Sequence, residues 1–539
     1  MQSQIDQAVA TLGRPLLEFV CARPLEEIAA NESARSLVST INSVLATVTG
    51  PDQDPNIMRS YLKYRLSEEV DGEVLAVTLH KQAGGVVSLP NTDDQLDELV
   101  VRIAAECYPF LLLPIDPFFA AFQGDRLDSL VSSLLIRHHL SVEFRSQLLT
   151  DQSLAAVFNN HSTTSGHTTD MIYRSTGRGS SLQLWTLLDL VMSGAWRARP
   201  TRDTPPGISV FCELALERWR LIRRLLPTKQ RVTVSAYLAF AGVRLPSTGP
   251  YTFGDFIVRQ PNEQDTDRIP KSLPGQLTMT TSAGNEISIE YSGDIVAEAQ
   301  VPYMSLFRRE SVESIPEWPT ELRKANRIVE LGEQLRVSLL LSIVREQRVQ
   351  IVPSWQAIDD PLEHAITQQW SDPRHAMGLV PTILTEEEVS RWQDWFGYVT
   401  SPGSEKLSIA INRVLRATAE RRDPVDVLID SVIAWENMFG SSEGESTLRV
   451  TASLALLLES DPARRLDLRR KLGRIYSLRS KAVHGSSHPK PIELALCYEA
   501  LDYALSALRT IFSERPDVLD HKDGGGRSLH LIMGQVPDG

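Results

Sequence analysis

Cysteine is scarce. The four in 539 residues, Cys21, Cys107, Cys212 and Cys497, are scattered without C-x-x-C spacing, which excludes a disulfide scaffold or a cysteine zinc site and suits the reducing cytoplasm. A long apolar run is also missing: the strongest, Tyr108 to Phe122, is broken by Pro114, Asp116 and Pro117 and falls short of the roughly 20 residues of a membrane span. The N-terminus carries Asp6 and no basic cluster before its apolar residues, so a secretory leader is not expected. Positive charge is in deficit, with a formal net charge of -13. Such a chain does not coat nucleic acid through a general basic surface, and any RNA contact has to be local. There is no P-loop, no strand-linked G-x-G-x-x-G and no H-E-x-x-H, so an NTPase, a dinucleotide enzyme and a zinc protease find no support. His138-His139, His161 and His167 lack neighbouring ligands in the sequence, and neither a metal nor a cofactor is expected.

What is present is ordinary for a folded chain: 42% hydrophobic and 23% charged residues place it among soluble globular proteins, with about two to four domains for this length. Residues 1–200 read as an α+β region. Ile5, Val9, Leu12, Leu16, Leu17 and Val20 recur at helical spacing, Val74–Leu79 and Val86–Leu89 around Gly84-Gly85 resemble a hairpin, and helices are expected over 94–107 and 126–140. The Ser/Thr/Gly-rich stretch 159–181 reads as a functional loop. Residues 201–400 read as a helix over 210–226, then a β-rich module between 230 and 305 with a hairpin around 282–285. A long helix over 319–349 and further helices up to Trp395 follow, and this region is the expected sensor. Ser401-Pro402-Gly403-Ser404 marks a boundary. Beyond it everything reads as helix, in the order of an up-and-down bundle over 405–515, with 516–539 and its Gly524-Gly525-Gly526 expected as a flexible tail.

Within 405–515 four blocks stand in order: Asp426-Val427-Leu428-Ile429-Asp430, Ile433-Ala434-Trp435-Glu436-Asn437-Met438-Phe439, Glu445 with Arg449, and Ile475-Tyr476-Ser477-Leu478-Arg479-Ser480-Lys481-Ala482-Val483-His484-Gly485. This succession resembles the ApeA-like HEPN domain, over about one fifth of the chain. The resemblance implies an all-α bundle that pairs through its motif-bearing helices as a homodimer. It also implies a metal-independent endoribonuclease with Arg479 and His484 as catalytic residues, in an anti-phage or abortive-infection effector. Glu436, Glu445, Arg449 and Ser480 match family positions that orient the arginine or hold the bundle. HEPN toxins silenced by a partner nucleotidyltransferase typically carry a tyrosine two residues after the histidine, where Ser486 stands here; control by the chain's own N-terminal region, sensing a trigger, is the expectation instead.

The chemistry of the two side chains fits. Cleavage by 2'-hydroxyl attack needs a proton acceptor, a donor for the departing 5'-oxygen and positive charge on the phosphate. Histidine exchanges protons near neutrality and arginine presents a planar fork to phosphate oxygens. Residues five apart diverge by roughly 140° on an ideal helix, so a site shared across a two-fold axis is expected. Arg469, Arg470, Lys471, Arg474 and Lys481 crowd the same stretch, where Asp467 is the only acid, and are the candidate contacts to RNA, with tRNA among the candidate substrates. The alternative is a HEPN module that only dimerises or binds RNA.

Overall fold

In the computed structural model the chain is mixed α+β. The structure describes residues 2–48, 61, 64–114, 129–158, 169–201, 204–227, 229–247, 249–262, 265, 268–269, 276–280, 286–290, 293–308, 328–345, 348–363, 367–370, 381–441, 446–484 and 490–534. Two compact units emerge. Met1–Val234, Val301–Asn326 and Ile358–Thr367 form the first, and Ser235–Gln300, Arg327–Ala357 and Gln368–Gly539 the second. No described helix is long and apolar enough to cross a membrane.

The first unit is built around the helix Gln95–Leu111. Asp94 caps it by accepting a hydrogen bond from the backbone N–H of Asp97, and nearly every later residue is buried, because Ile208–Leu225 and His139–Leu148 pack on it from different sides. The hairpin expected over 74–89 is not formed. Instead Glu69–Val70 and Glu73–Val74 make a short hairpin whose turn residues, Asp71 and Gly72, both lie at positive φ, as the favoured two-residue turn demands. Leu75–Gln82 is a helix. Gly84, at φ 91°, ends it: its N–H donates to Lys81 O at 3.0 Å and that of Gly85 to His80 O at 2.9 Å. This is the Schellman arrangement, so the two glycines serve as a helix stop rather than a hairpin turn.

The backbone N–H of Val74 donates at 2.6 Å to Glu106, a buried carboxyl on the central helix. Burial first, and then the neighbouring charge of Glu73, pushes Glu106 up to about 7. The folded state therefore holds this proton more tightly than the unfolded chain. Stability is expected to fall by about 3 kcal/mol as pH rises from the ordinary carboxyl range towards 7, and then to level off. Glu106→Gln, which keeps the oxygen acceptor, should flatten that slope in urea unfolding followed from pH 4.5 to 8; an unchanged slope would contradict the assignment.

The stretch expected as a loop over 159–181 is in part a hairpin, Thr169–Arg174 against Gly179–Gln183, while 159–168 lies outside the described residues. Met171–Arg174 also pair with Ser305–Arg308. Arg174, 1% exposed, reaches Glu363 and approaches Asp360. The Tyr303 hydroxyl donates to Asp360 at 2.6 Å. Buried charge is held here by pairing, as it must be in a low-dielectric interior.

In the second unit the β-rich module is present. Arg231–Ala241 lies between Ile295–Arg308 and Val352–Ile358 in the sheet, and Phe256–Arg259 pairs antiparallel with both Val296–Ala299 and Tyr251–Phe253. Gln276–Thr280 and Glu286–Glu290 form the separate hairpin expected there; its turn, 281–285, lies outside the described residues. The long helix expected over 319–349 is described as Ile328–Ser342, with 319–327 outside the described residues and 343–345 no longer helical. The further helices expected before Trp395 are a correction: Val352–Ile358, Thr367–Trp370 and Thr382–Ile383 are strands, and among the described residues that follow the long helix only Glu386–Val399 is helical before the boundary at 401. Val352–Ile358 carries Val352, Ser354, Trp355, Ala357 and Ile358 into the core, a nearly continuous buried run whose period does not separate strand from helix.

From Ser408 onward the expected succession of helices is found: Ser408–Ala419, Pro424–Phe439, Ser446–Leu458, Pro462–Val483 and Leu494–Ser513. They enclose one core that includes Leu428, Trp435, Leu454, Leu472, Ile475, Leu501 and Leu508. The flexible tail expected after residue 515 is also corrected. Pro516–Asp520 is a short 3-10 turn and Gly524–Met533 a helix packed on Pro424–Phe439 and Ser446–Leu458. A Cβ at Gly524 would stand 2.5 Å from Gly440 O, so glycine is needed for close approach. Arg527, 1% exposed, donates to Met438 O and Asn437 O at 2.8 and 2.7 Å, closing the carbonyl end of the helix before it.

Candidate functional site

The helix Pro462–Val483 carries most of the expected site. Its start is encoded locally: Asp461 accepts from the backbone N–H groups of Ala463 and Arg464 at 3.0 and 2.9 Å, with Pro462 in the first turn, a strong N-terminal combination. Only Leu472, Ile475 and Leu478 are buried. A single narrow apolar stripe thus docks the helix on the bundle and leaves its cations at the surface.

Arg479 sits near the end of this helix, with Glu436 Oε2 at 3.4 Å from its Nη2. The other oxygen of Glu436 accepts from the Tyr476 hydroxyl at 2.5 Å. Burial and then the Glu436 carboxylate push Tyr476 up to about 12, so the phenol stays a donor across the neutral range. Arg479 Nε is buried with no hydrogen-bond partner among the described residues. The guanidinium is therefore oriented by one carboxylate, its Nε is closed to a ligand, and contact with a phosphate oxygen falls to the remaining, partly exposed nitrogens.

His484 is the C-cap, at φ -83° and ψ 5°. Its N–H donates to Ser480 O at 3.1 Å, so Ser480 takes part through its backbone, and the imidazole is exposed. The backbone stays helical up to the cap, and the angular divergence between positions 479 and 484 is that of a continuous helix. Arg449 is half-buried on Ser446–Leu458, whereas Glu445 and Gly485 lie outside the described residues.

The other expected cations divide. Arg469, Arg470 and Arg474 line a cavity of about 480 Å³, closed on its far side by Thr447, Leu448 and Thr451, with Gly473 between the arginines. Positions 469, 470, 473 and 474 share one side of the helix, and the glycine leaves the groove between the two helices open. Arg470 is bridged to Asp467 at 3.1 Å, while Arg469, Arg474 and Lys481 make no ion pair among the described residues. Lys471 turns elsewhere: it pairs with Glu499 at 2.5 Å and lies 5.9 Å from the Tyr503 ring centroid, so it does not belong to the cavity. Arg465 is also occupied, closing the preceding turn through Glu459 O and Ser460 O, both at 2.9 Å.

Comparison with protein-family models, with curated proteins and with solved structures returns no match for this chain. Its reading rests on its own residues.

Two features were not singled out from the sequence. Tyr476 lies inside the motif, but its role as the second partner of Glu436 depends on the packing of two helices 40 residues apart. Thr447 and Thr451 carry no signal of their own and become cavity walls only through that same packing. Asp430, in the first block of the motif, is 1% exposed and bridges Arg413 and Arg421 at 2.7 and 2.6 Å. It fastens the start of the bundle and lies apart from the cavity-lining residues.

Proposed function

We propose that this chain is a metal-independent endoribonuclease of HEPN type, in which Arg479 and His484 act at a site completed by a second copy. The observation that carries the reading is the aimed arginine. Glu436, itself bonded by the Tyr476 hydroxyl, orients the partly exposed Arg479 guanidinium, and an exposed histidine follows at the end of the same helix. The 2'-hydroxyl of a bound RNA gives its proton to one histidine and attacks the phosphorus. The 5'-oxygen leaves with a proton from the other, and two arginines stabilise the charge on the phosphoryl oxygens. The products are a 2',3'-cyclic phosphate and a 5'-hydroxyl.

The basic cavity supports a substrate of polyanionic kind. Arg469 and Arg474 would track the phosphate backbone next to the reacting group, and a local patch of this sort lets an acidic protein bind RNA. The double variant Arg469→Ala/Arg474→Ala is expected to weaken RNA binding and to reduce the slope of log affinity against log salt by about 1.4. A fluorescence-anisotropy titration at several salt concentrations measures it, and an unchanged slope would remove these residues from the interface.

The biological setting we propose is an anti-phage, abortive-infection effector in the cytoplasm, held inactive by its own N-terminal region until triggered. Expression of the wild-type chain in bacteria should then be toxic once triggered, and Arg479→Ala should relieve the toxicity. Equal toxicity of both would overturn the assignment. Sedimentation of the active protein as a monomer would overturn the shared site.

A further inference from the structure

The first unit holds a cluster that the ribonuclease reading does not use. Glu69 stands in the short hairpin opposite Val74. His138 and His139 stand at the start of the helix His139–Leu148, of which His138 is the N-cap. The three converge: His138 Nε2 is 3.5 Å from Glu69 Oε1 and His139 Nδ1 is 2.9 Å from Glu69 Oε2. One ligand atom from each residue lies within 4.8 Å of the other two.

We propose that Glu69, His138 and His139 form a binding site for a first-row transition-metal dication, zinc above all. Zinc bonds to imidazole nitrogen and carboxylate oxygen are about 2.0–2.2 Å long, so tetrahedral ligand atoms stand about 3.3 Å apart. The two histidine–carboxylate separations, 3.5 and 2.9 Å, are of that size, and the two histidine nitrogens lie within 4.8 Å of one another. Two imidazoles and one carboxylate are a set suited to zinc and poorly suited to magnesium or calcium, which prefer oxygen.

The independent sign is His138. Its side chain is 2% exposed, yet its Nε2, which faces Glu69 at 3.5 Å, has no hydrogen-bond partner among the described residues. A buried polar nitrogen without a partner is unfavourable, and a metal bond would satisfy it. Three protein ligands leave a fourth position open, and the half-exposed rims of Glu69 and His139 give solvent access to it. One local bond opposes ligation: the Leu140 N–H reaches His138 Nδ1 at 3.3 Å, which is long for a hydrogen bond and is given up when the ring proton moves to Nδ1. A bound ion would tie the hairpin to the helix, so its role in this unit is to hold two segments far apart in sequence.

Isothermal titration of the full chain with zinc chloride, with magnesium chloride as the control, tests the site. His138→Ala would remove a buried side chain and threatens folding, so the variants are the exposed Glu69→Gln and His139→Ala. The wild type should bind one more equivalent of zinc than either variant, or bind it at least tenfold more tightly, and should show no comparable magnesium binding. Zinc binding of equal stoichiometry and affinity in wild type and both variants would overturn the proposal, as would its absence from the wild type.

Discussion

Replacing Arg479 or His484 by alanine should lower RNA cleavage by the full chain at least a hundredfold, with little change in the concentration of RNA that half-saturates it. Proton transfer by a positioned side chain contributes about 10²–10⁴ in rate, and the loss of a cation that meets charge only as it develops in the transition state is of similar size. Both effects fall on kcat. On the proposed reading, ground-state affinity would come mainly from Arg469 and Arg474, which line the cavity and which neither substitution touches. Glu436→Gln makes the graded companion. The amide keeps its length but loses the charge that aims Arg479, and a fall of about tenfold in kcat is expected, the order seen for outer-sphere positioning groups. A structural role for Glu436 would instead lower stability and leave the rate of the folded fraction alone, so kcat and the urea midpoint measured on the same preparations separate the two. Equal rates in wild type and His484→Ala would remove the histidine from the chemistry.

The largest expected loss of stability is at Trp435. Its indole is fully buried in the core of the helical bundle, its Nε1 donates to Ala500 O at 3.2 Å, and its ring meets Tyr503 edge-on at 6.5 Å between centroids. Trp435→Ala removes the largest side chain at the contact between Pro424–Phe439 and Leu494–Ser513 and leaves a cavity that the surrounding helices cannot fill. A cost of about 3–5 kcal/mol follows. Because Glu436 is the next residue on the same helix, the geometry around Arg479 should loosen as well. Urea unfolding followed by helical circular dichroism should show a clear fall in midpoint at unchanged slope, and a midpoint within error of wild type would contradict this view of the core.

Much of the bundle was legible because its signals are local. Asp423-Pro424 and Asp461-Pro462 announce helix starts, and both aspartates do accept the expected backbone N–H groups. The apolar positions 472, 475 and 478 recur at helical spacing and are the ones buried. The misreadings fall where tertiary context overrides local preference. Val74–Leu79 has strand-like composition, yet its buried residues are Val74, Ala76 and Val77, and Gly84 stops a helix there. The glycines at 524–526 read as a linker, and only the folded chain shows that Gly524 opens a helix in close approach to Gly440. The strand at 352–358 is buried on both faces and therefore shows no alternation.

Sites assembled from distant segments were the least legible. Arg479 and His484 share one helix and one motif, so a sequence can show them together. The cavity beside them needs two helices, and the grouping of Glu69 with His138 and His139 needs a hairpin turn to bring a carboxylate to a histidine pair far along the chain. Spacing rules cannot report such a set, because its spacing exists only after folding.

The most direct measurement is cleavage of total RNA by the full chain in its triggered state, in the presence of EDTA, with wild type and His484→Ala compared and the product ends analysed. Fragments ending in 2',3'-cyclic phosphate and 5'-hydroxyl, formed by wild type and lost in the variant, are the expected result. Product ends of the opposite kind or equal cutting by His484→Ala would contradict a HEPN-type ribonuclease, and cleavage that stops on chelation in Glu69→Gln and His139→Ala as it does in wild type would contradict its metal independence.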